Sequence, residues 1–175
     1  MSREFAVPPA VQIALFGVLL GVAAAWDIGR RRIPNGLTVG IAVFGLVAQV
    51  SGAGAAGALS GLAAAAIAGA LLWPAWASGA LGGGDLKLAV AAGVWVGLSR
   101  LLPFAMASGI AAGVIAVVCY LASSREARGA MRANLVHAVR GLRIEAPLRS
   151  GGGRVSLPAG VAVAVGALFA VVMGG

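Results

Sequence analysis

Long apolar stretches separated by short charged segments dominate the chain. Residues 33–84 form a run of 52 positions without a formal charge, which is enough for two membrane spans of roughly 20 residues and a turn. Six candidate helices lie at residues 9–26, 36–50, 55–76, 85–98, 101–121 and 155–173. The pattern predicts an all-α fold, in which residues 1–175 form a single polytopic membrane domain with about six transmembrane helices.

Composition supports a membrane protein and argues against two other classes. Hydrophobic residues make up 61% of the chain and charged residues 10%, whereas soluble domains have about 25% charged residues. The net charge of +8 comes from arginines in short segments between apolar runs, so we expect no nucleic-acid partner. The single cysteine, Cys119, lies in an apolar run, which excludes an intramolecular disulfide and a thiolate metal cluster. No metal or cofactor is expected.

The basic residues are distributed unevenly between the two sides of the predicted bundle. Eleven of the 13 lie in connections on one side, at Arg30–Arg32, at Lys87 and in the segment between the last two spans. Only Arg3 and Arg100 fall on the other side. Positively charged loops remain cytoplasmic, so this pattern predicts that both termini lie on the non-cytoplasmic side. The first apolar run has no convincing cleavage site and is interpreted as a retained span.

The segment 122–154 is the only sizeable polar part of the sequence. It carries apolar and basic residues at helical spacing, namely Met131, Leu135, Val139, Leu142, Arg128, Arg132, Arg140 and Arg143. This spacing predicts a short helix on the membrane surface whose arginines reach anionic lipid head groups. Gly151–Gly153 is interpreted as a hinge, and His137, the only histidine, as a polar loop residue rather than a catalyst or ligand.

Only two aspartates occur, Asp27 and Asp85, and each lies where an apolar segment meets charge. A carboxylate at the edge of a membrane segment is energetically costly and suggests a functional role. Asp27 ends the first predicted span and Asp85 begins the fourth, so both would reach the same margin of the membrane. The predicted topology therefore permits the two carboxylates to act as a pair.

Three glycines, Gly82, Gly83 and Gly84, precede Asp85. Glycines adopt backbone angles closed to other residues and leave space for a substrate backbone beside the aspartate. The alternative is a flexible loop in which Asp85 caps the next helix, since aspartate is a favoured N-cap residue.

Asp27 is followed by three arginines and then by Ile33, Pro34 and Asn35. Pro34 prevents the chain from continuing as a helix, and Asn35 can cap the next one. The alternative is that Asp27 simply pairs with Arg30 or Arg31. That explanation would account for this motif but not for the second one.

Together the two motifs resemble those of the prepilin peptidase family of GxGD membrane aspartic proteases. The resemblance is carried by Asp27 with Ile33-Pro34-Asn35 and by Gly82-x-Gly84-Asp85-x-Lys87-Leu88. It implies that Asp27 and Asp85 are catalytic, and it gives a role in the motif or in substrate approach to Gly82, Gly83, Gly84, Lys87, Pro34 and Asn35. The stretch 157–162 resembles the Pro-aromatic-Gly start of the family's last span, with Ala159 in place of the aromatic residue.

The resemblance implies cleavage of prepilin leaders at the cytoplasmic face of the bacterial inner membrane, for pilus assembly. Longer members carry paired Cys-x-x-Cys motifs and methylate the new N-terminus, so a chain with one cysteine resembles the short form of Flp-type (tight adherence) systems. Lys87 would stabilise the charge of Asp85, bind a lipid phosphate or extend to the membrane interface. Two alternatives stay open: a small proton-coupled transporter, and a non-catalytic membrane assembly subunit. The sequence identifies neither the prepilin nor the oligomeric state.

Overall fold

The computed structural model describes residues 9–30, 33–79, 81–126, 128–129, 131–132, 136 and 159–173. These residues form four helices: α1 (Pro9–Arg30), α2 (Asn35–Ala77), α3 (Gly83–Ala122) and α4 (Ala159–Met173). Further helical residues follow α3 within 125–136, and no strand occurs among the described residues. The predicted all-α fold is confirmed.

Local chemistry explains how α1 gives way to α2. Pro34 adopts an extended conformation (φ −60°, ψ 136°) and is the N-cap of α2, while its carbonyl oxygen accepts the backbone N–H groups of Leu37 and Thr38. Asn35 is the first helical residue and makes no capping hydrogen bond with its side chain. The prediction that Pro34 separates two helices is confirmed, whereas the prediction that Asn35 caps α2 is wrong, because the proline already occupies the cap.

α2 folds back on itself near its middle. Ala53 and Gly54 are non-helical, and Gly54 has a positive φ of 59°. A Cβ on Gly57 would collide with the carbonyl oxygen of Gln49, and a Cβ on Gly61 would lie 3.3 Å from the Cγ atom of Gln49. In a straight helix residues 49 and 61 would be about 18 Å apart. α2 is therefore a helical hairpin, so Asn35 and Ala77 lie at the same end of the bundle.

α3 contains a second break, at Gly97, with φ 67° and ψ 176°. The backbone N–H of Leu98, freed from the helix at this point, donates a 2.9 Å hydrogen bond to Ser60 Oγ. Because only glycine adopts this conformation without strain, the residue type determines where the helix can turn.

Neighbours along α4 show that α3 also reverses direction at Gly97. The start of α4 lies beside Asp85 in the first turn of α3. The far end of α4, at Met173, lines a groove with Ser99 and Pro103. Ser108 then packs against Gly166, which is back toward the start of α4. The second arm of α3 therefore returns toward the end of the bundle from which the first arm came.

The boundaries between helices predicted from the sequence need correction. The described residues form four continuous helices, because the predicted ends at 50–55 and 98–101 are breaks inside α2 and α3, and the two reversals divide these four helices into six arms. One or two non-helical residues are enough to reverse the chain at each break, so no intervening loop separates the arms. The end of the bundle where α1 stops and α3 begins is called the aspartate end below.

Small residues line the interfaces between helices, and large apolar side chains face outward. A Cβ on Gly61 would lie 2.7 Å from the Val94 carbonyl oxygen, and one on Gly93 would lie 3.1 Å from the Cα atom of Ala65. Close approach of this kind is typical of helix packing in membranes. α1, α2 and α3 are long and apolar enough to cross a membrane, with mean hydropathies of 1.9, 1.9 and 2.2. The chain is a membrane protein.

Candidate functional site

Asp27 lies half-buried in the last turn of α1, at the aspartate end. Its Oδ2 atom accepts a 3.2 Å hydrogen bond from the backbone N–H of Gly160, in the first turn of α4. The two residues are 133 positions apart in the sequence. The last helix therefore begins directly against the carboxylate that ends the first helix.

Asp85 lies half-buried in the first turn of α3, also at the aspartate end. Its carboxylate interacts with the charge of Asp27 and with the backbone amides of Gly82 and Gly160. Gly82 rather than Asp85 is the N-cap of α3. The structure thus brings Asp27 and Asp85 together: Asp27 accepts the hydrogen bond of the Gly160 amide, and Asp85 interacts electrostatically with the same group.

Each of the three glycines before Asp85 lies close to another part of the chain. A Cβ on Gly82 would lie 2.8 Å from Asp85 Oδ2, one on Gly83 would lie 3.4 Å from Trp76 Nε1, and one on Gly84 would lie 3.4 Å from the Ile33 nitrogen. The three glycines therefore lie in a closely packed junction between the end of α2, the start of α3 and the residues before α2. Its part in substrate approach stays a prediction.

Lys87 and Asn35 meet beside the carboxylates. Lys87 Nζ donates a 3.0 Å hydrogen bond to Asn35 Oδ1, and both residues are exposed. The bond joins the start of α2 to the start of α3 across 52 positions of sequence. Among the described contacts Lys87 thus binds Asn35, while Pro34 contributes through the backbone as the cap of α2. Neither contact includes Asp27 or Asp85.

Gly160 is the site residue that sequence reasoning did not single out. A Cβ at this position would lie 2.8 Å from Asp27 Oδ2 and 3.1 Å from Asp27 Cγ, so the carboxylate fits only against a glycine. Its contribution is a backbone N–H, which leaves no mark in a side-chain pattern. The available signal was its position in the Pro158-Ala159-Gly160 stretch that opens the last helix.

Aromatic residues surround the aspartate end. The guanidinium of Arg30 lies over the Trp26 ring at 5.1 Å, and Trp73 packs against Trp76 with ring centroids 4.7 Å apart. All three tryptophans are at least 38% exposed, as in the aromatic belts that mark membrane–water interfaces. Arg30 thus has an aromatic partner, its pairing with Asp27 stays a prediction, and Arg31 lies outside the described residues.

The basic segment after α3 is described only in part. Arg132 Nε donates a 2.8 Å hydrogen bond to the Tyr120 hydroxyl, and Arg128 donates to the carbonyl oxygens of Leu121 and Ser123. The predicted positions His137, Leu135, Val139, Arg140, Leu142, Arg143 and Gly151–Gly153 lie outside the described residues. Within the part that is described, no group of three His, Cys, Asp or Glu side chains could hold a metal, and Cys119 is a free thiol.

Comparison with known proteins identifies the family. Residues 14–117 match the model of the type IV leader peptidase family, and this range contains Asp27, Asp85 and both sequence motifs. Comparisons with curated proteins and with solved structures gave no match. Because the family match covers more than half of the chain, the protein belongs to the type IV leader peptidase family.

Proposed function

We propose that the chain is an aspartic endopeptidase that removes leader peptides from prepilins at the cytoplasmic face of the inner membrane. The observation that carries the proposal is the convergence of Asp27 and Asp85 on the Gly160 amide. An aspartic protease needs two carboxylates close enough to share a proton and a water molecule. The only two aspartates in the sequence interact electrostatically and share a neighbouring amide, which supports such a pair.

The chemistry follows from the paired carboxylates. Two neighbouring carboxyl groups do not both ionise easily, so the pair holds one proton between them. The ionised partner deprotonates a water molecule, which attacks the scissile carbonyl carbon, while the protonated partner donates to the carbonyl oxygen as it gains charge. Proton transfer to the leaving nitrogen then breaks the peptide bond. The pair titrates as a unit.

Charge and aromatic residues support placing this chemistry at the cytoplasmic interface. Arg30 and Lys87 lie at the aspartate end, whereas Arg100 lies near the opposite end, beside Met173 of α4. Basic residues remain on the cytoplasmic side, and exposed tryptophans at the same end match the depth of lipid head groups. In this orientation the start of α1 and the end of α4 face the non-cytoplasmic side.

The substrate and the lipid are partners in the same proposal. Prepilin leaders are usually basic and would be repelled by the positive face, so anionic lipids between them would offset the repulsion. The chain has one cysteine and no Cys-x-x-Cys motif, in keeping with a short form that serves Flp-type pili without methyltransferase activity. The proton-coupled transporter fits less well, because transport sites lie near the bilayer midplane and these acids lie at one end of the bundle.

Coexpression with a candidate prepilin tests the proposal. The prepilin is followed by its shift in size, and N-terminal sequencing of the product locates the cleaved bond. Asp27→Asn and Asp85→Asn are each expected to abolish processing, with unchanged amounts of protein in the membrane. Glu126→Gln, which changes an exposed acid after α3, is the control and should process normally. Cleavage that survives either aspartate change would rule out the paired mechanism.

A further inference from the structure

Trp95, in α3, contacts both α1 and α2 at a depth well below the aspartate end. It lies ten residues after Asp85 in α3, which corresponds to about 15 Å along the helix. Phe16 lies eleven residues before Asp27 in α1, about 16 Å below it. Trp95 is 7% exposed and Phe16 is fully buried. The two rings therefore sit at the same depth beneath the paired carboxylates.

The first arm of α2, residues 35–52, holds Trp95 by three contacts. The indole Nε1 donates a 2.5 Å hydrogen bond to the Ile41 carbonyl oxygen. Gln49 Nε2 donates a 2.9 Å hydrogen bond to the Trp95 carbonyl oxygen. The indole also lies flat against Gly45, where a Cβ would overlap the ring, 2.8 Å from Nε1 and 2.9 Å from Cγ. These contacts leave the ring one position.

The opposite face of the indole supports α1. Phe16 and Trp95 are stacked, with ring centroids 4.5 Å apart and planes inclined by 14°. α1 packs mainly against α4 and less against α2, so among the described aromatic contacts this ring pair is the one that links α1 to α3. A shift of the indole would therefore act on α1 through this ring pair.

We propose that Trp95, seated on Gly45 and stacked on Phe16, is a positioning residue that sets the separation of Asp27 and Asp85. The proposal rests on the paired-aspartate function given above. α1 carries one carboxylate and α3 the other, and the ring stack is a rigid spacer between the two helices. Misplacement of a catalytic group by about 1 Å costs up to a hundredfold in rate, so the spacer controls turnover without touching the substrate.

The spacer role of Trp95 is tested by enlarging the side chain at position 45 and reducing the one at position 95. Gly45→Ala places a methyl group where the indole lies and should lower kcat at least about tenfold, with KM changed less than about twofold, because the effect lies on geometry rather than on substrate binding. Trp95→Phe keeps a ring for Phe16 and frees space for the methyl group. The double variant should therefore return to within about threefold of the Trp95→Phe kcat.

Gly93→Ala is the matched control, since its Cβ would lie 3.1 Å from the Cα atom of Ala65 and would strain the same α2–α3 interface, and its nearest atoms belong to Ala64 and Ala65 rather than to the residues that hold the indole. Trp95→Phe should not rescue it. The proposal is overturned if Trp95→Phe rescues both alanine variants or neither. It is also overturned if the loss of kcat in Gly45→Ala is no larger than the loss of folded enzyme expected from its lowered melting temperature. If Gly45→Ala does not accumulate in the membrane, Phe16→Leu replaces it, and an unchanged kcat there overturns the proposal.

The aspartate variants distinguish a failure of the proposed function from a failure of the Trp95 proposal. Asp27→Asn and Asp85→Asn are assayed in parallel with the same prepilin. If they remain active, the paired-aspartate function fails whatever the Trp95 variants do. If they are inactive while Gly45→Ala keeps the wild-type kcat, only the spacer is refuted.

Discussion

The backbone N–H of Gly160 lies 3.2 Å from the Oδ2 atom of Asp27, and this contact closes the site between the first and last helices. It places the start of α4 against both carboxylates, because Asp85 interacts with the same amide. Backbone N–H groups at a helix start carry partial positive charge and favour a neighbouring carboxylate. Gly160 therefore helps to hold two acidic groups together at one end of the bundle.

Gly160→Ala should reduce prepilin processing by at least about tenfold, because a displaced catalytic carboxylate loses much of its effective concentration. The new Cβ would lie 2.8 Å from Asp27 Oδ2 and would push the side chain away. Initial rates of processing in membranes with matched enzyme levels provide the measurement. Gly113→Ala in α3 is the control, since a Cβ at this position would meet no atom within 4 Å, and it should keep the wild-type rate. Equal activity of both variants would contradict a tight fit at Gly160.

Gly54→Ala should lower the free energy of unfolding by about 1–2 kcal/mol, because a residue with a side chain is strained at φ 59° and ψ −140°. The space around Gly54 is open, so the effect comes from the backbone alone. Gly52→Ala lies two residues away in equally open space, has no positive φ, and should be neutral or slightly stabilising. Thermal unfolding of both purified variants separates the two outcomes. Similar melting temperatures would argue against a strained reversal in α2.

Ser108→Ala should leave stability unchanged or raise it by up to about 1 kcal/mol. Ser108 Oγ is buried without a hydrogen-bond partner among the described residues, and an unsatisfied buried hydroxyl is costly. It also packs against Gly166 of α4. Thermal unfolding again provides the measurement, with Ser51→Ala as the comparison, since Ser51 Oγ donates to the Val47 carbonyl oxygen. A clear loss of stability in Ser108→Ala would show that this hydroxyl has a partner in the membrane.

The bond between Lys87 and Asn35 should contribute little to catalysis. Both residues are exposed, and a hydrogen bond of this kind is worth about 1 kcal/mol or less. Lys87→Gln and Asn35→Ala should each lower processing less than about threefold, and the double variant should match the worse single one. A double-mutant cycle on processing rates measures the coupling. Loss of activity in Lys87→Gln alone would instead favour a direct action on Asp85.

The sequence predicted the acids of the site better than it predicted the geometry around them. Asp27 and Asp85 stand out because carboxylates are rare at span edges, and their meeting follows from the alternating direction of the spans. The contact between Lys87 and Asn35, 52 positions apart, depends on how α2 and α3 pack and could not be read from either motif. Gly160 does not stand out in the sequence because its hydrogen bond comes from the backbone.

The predicted boundaries between helices differ from the observed ones for a related physical reason. Residues 50–55 and 98–101 are points of change in the apolar pattern, as predicted. Gly54 and Gly97, however, reverse the chain with positive φ angles, so the helical segments on either side join without a loop. Hydropathy records where apolar runs end, but it does not record how few residues a reversal needs. Positive φ depends on the packing of the arms, which the sequence alone does not show.

Crosslinking of cysteines at positions 27 and 85 tests the central claim most directly. In a Cys119→Ala background, Asp27→Cys with Asp85→Cys should be joined in high yield by a short bifunctional maleimide in native membranes. Asp27→Cys with Leu98→Cys is the control and should stay unlinked, because residue 98 lies near the opposite end of α3's first arm, about 20 Å from residue 85 along the helix. Efficient linkage of 27 to 85 alone agrees with paired carboxylates. Linkage of 27 to 98, or none to 85, would contradict them.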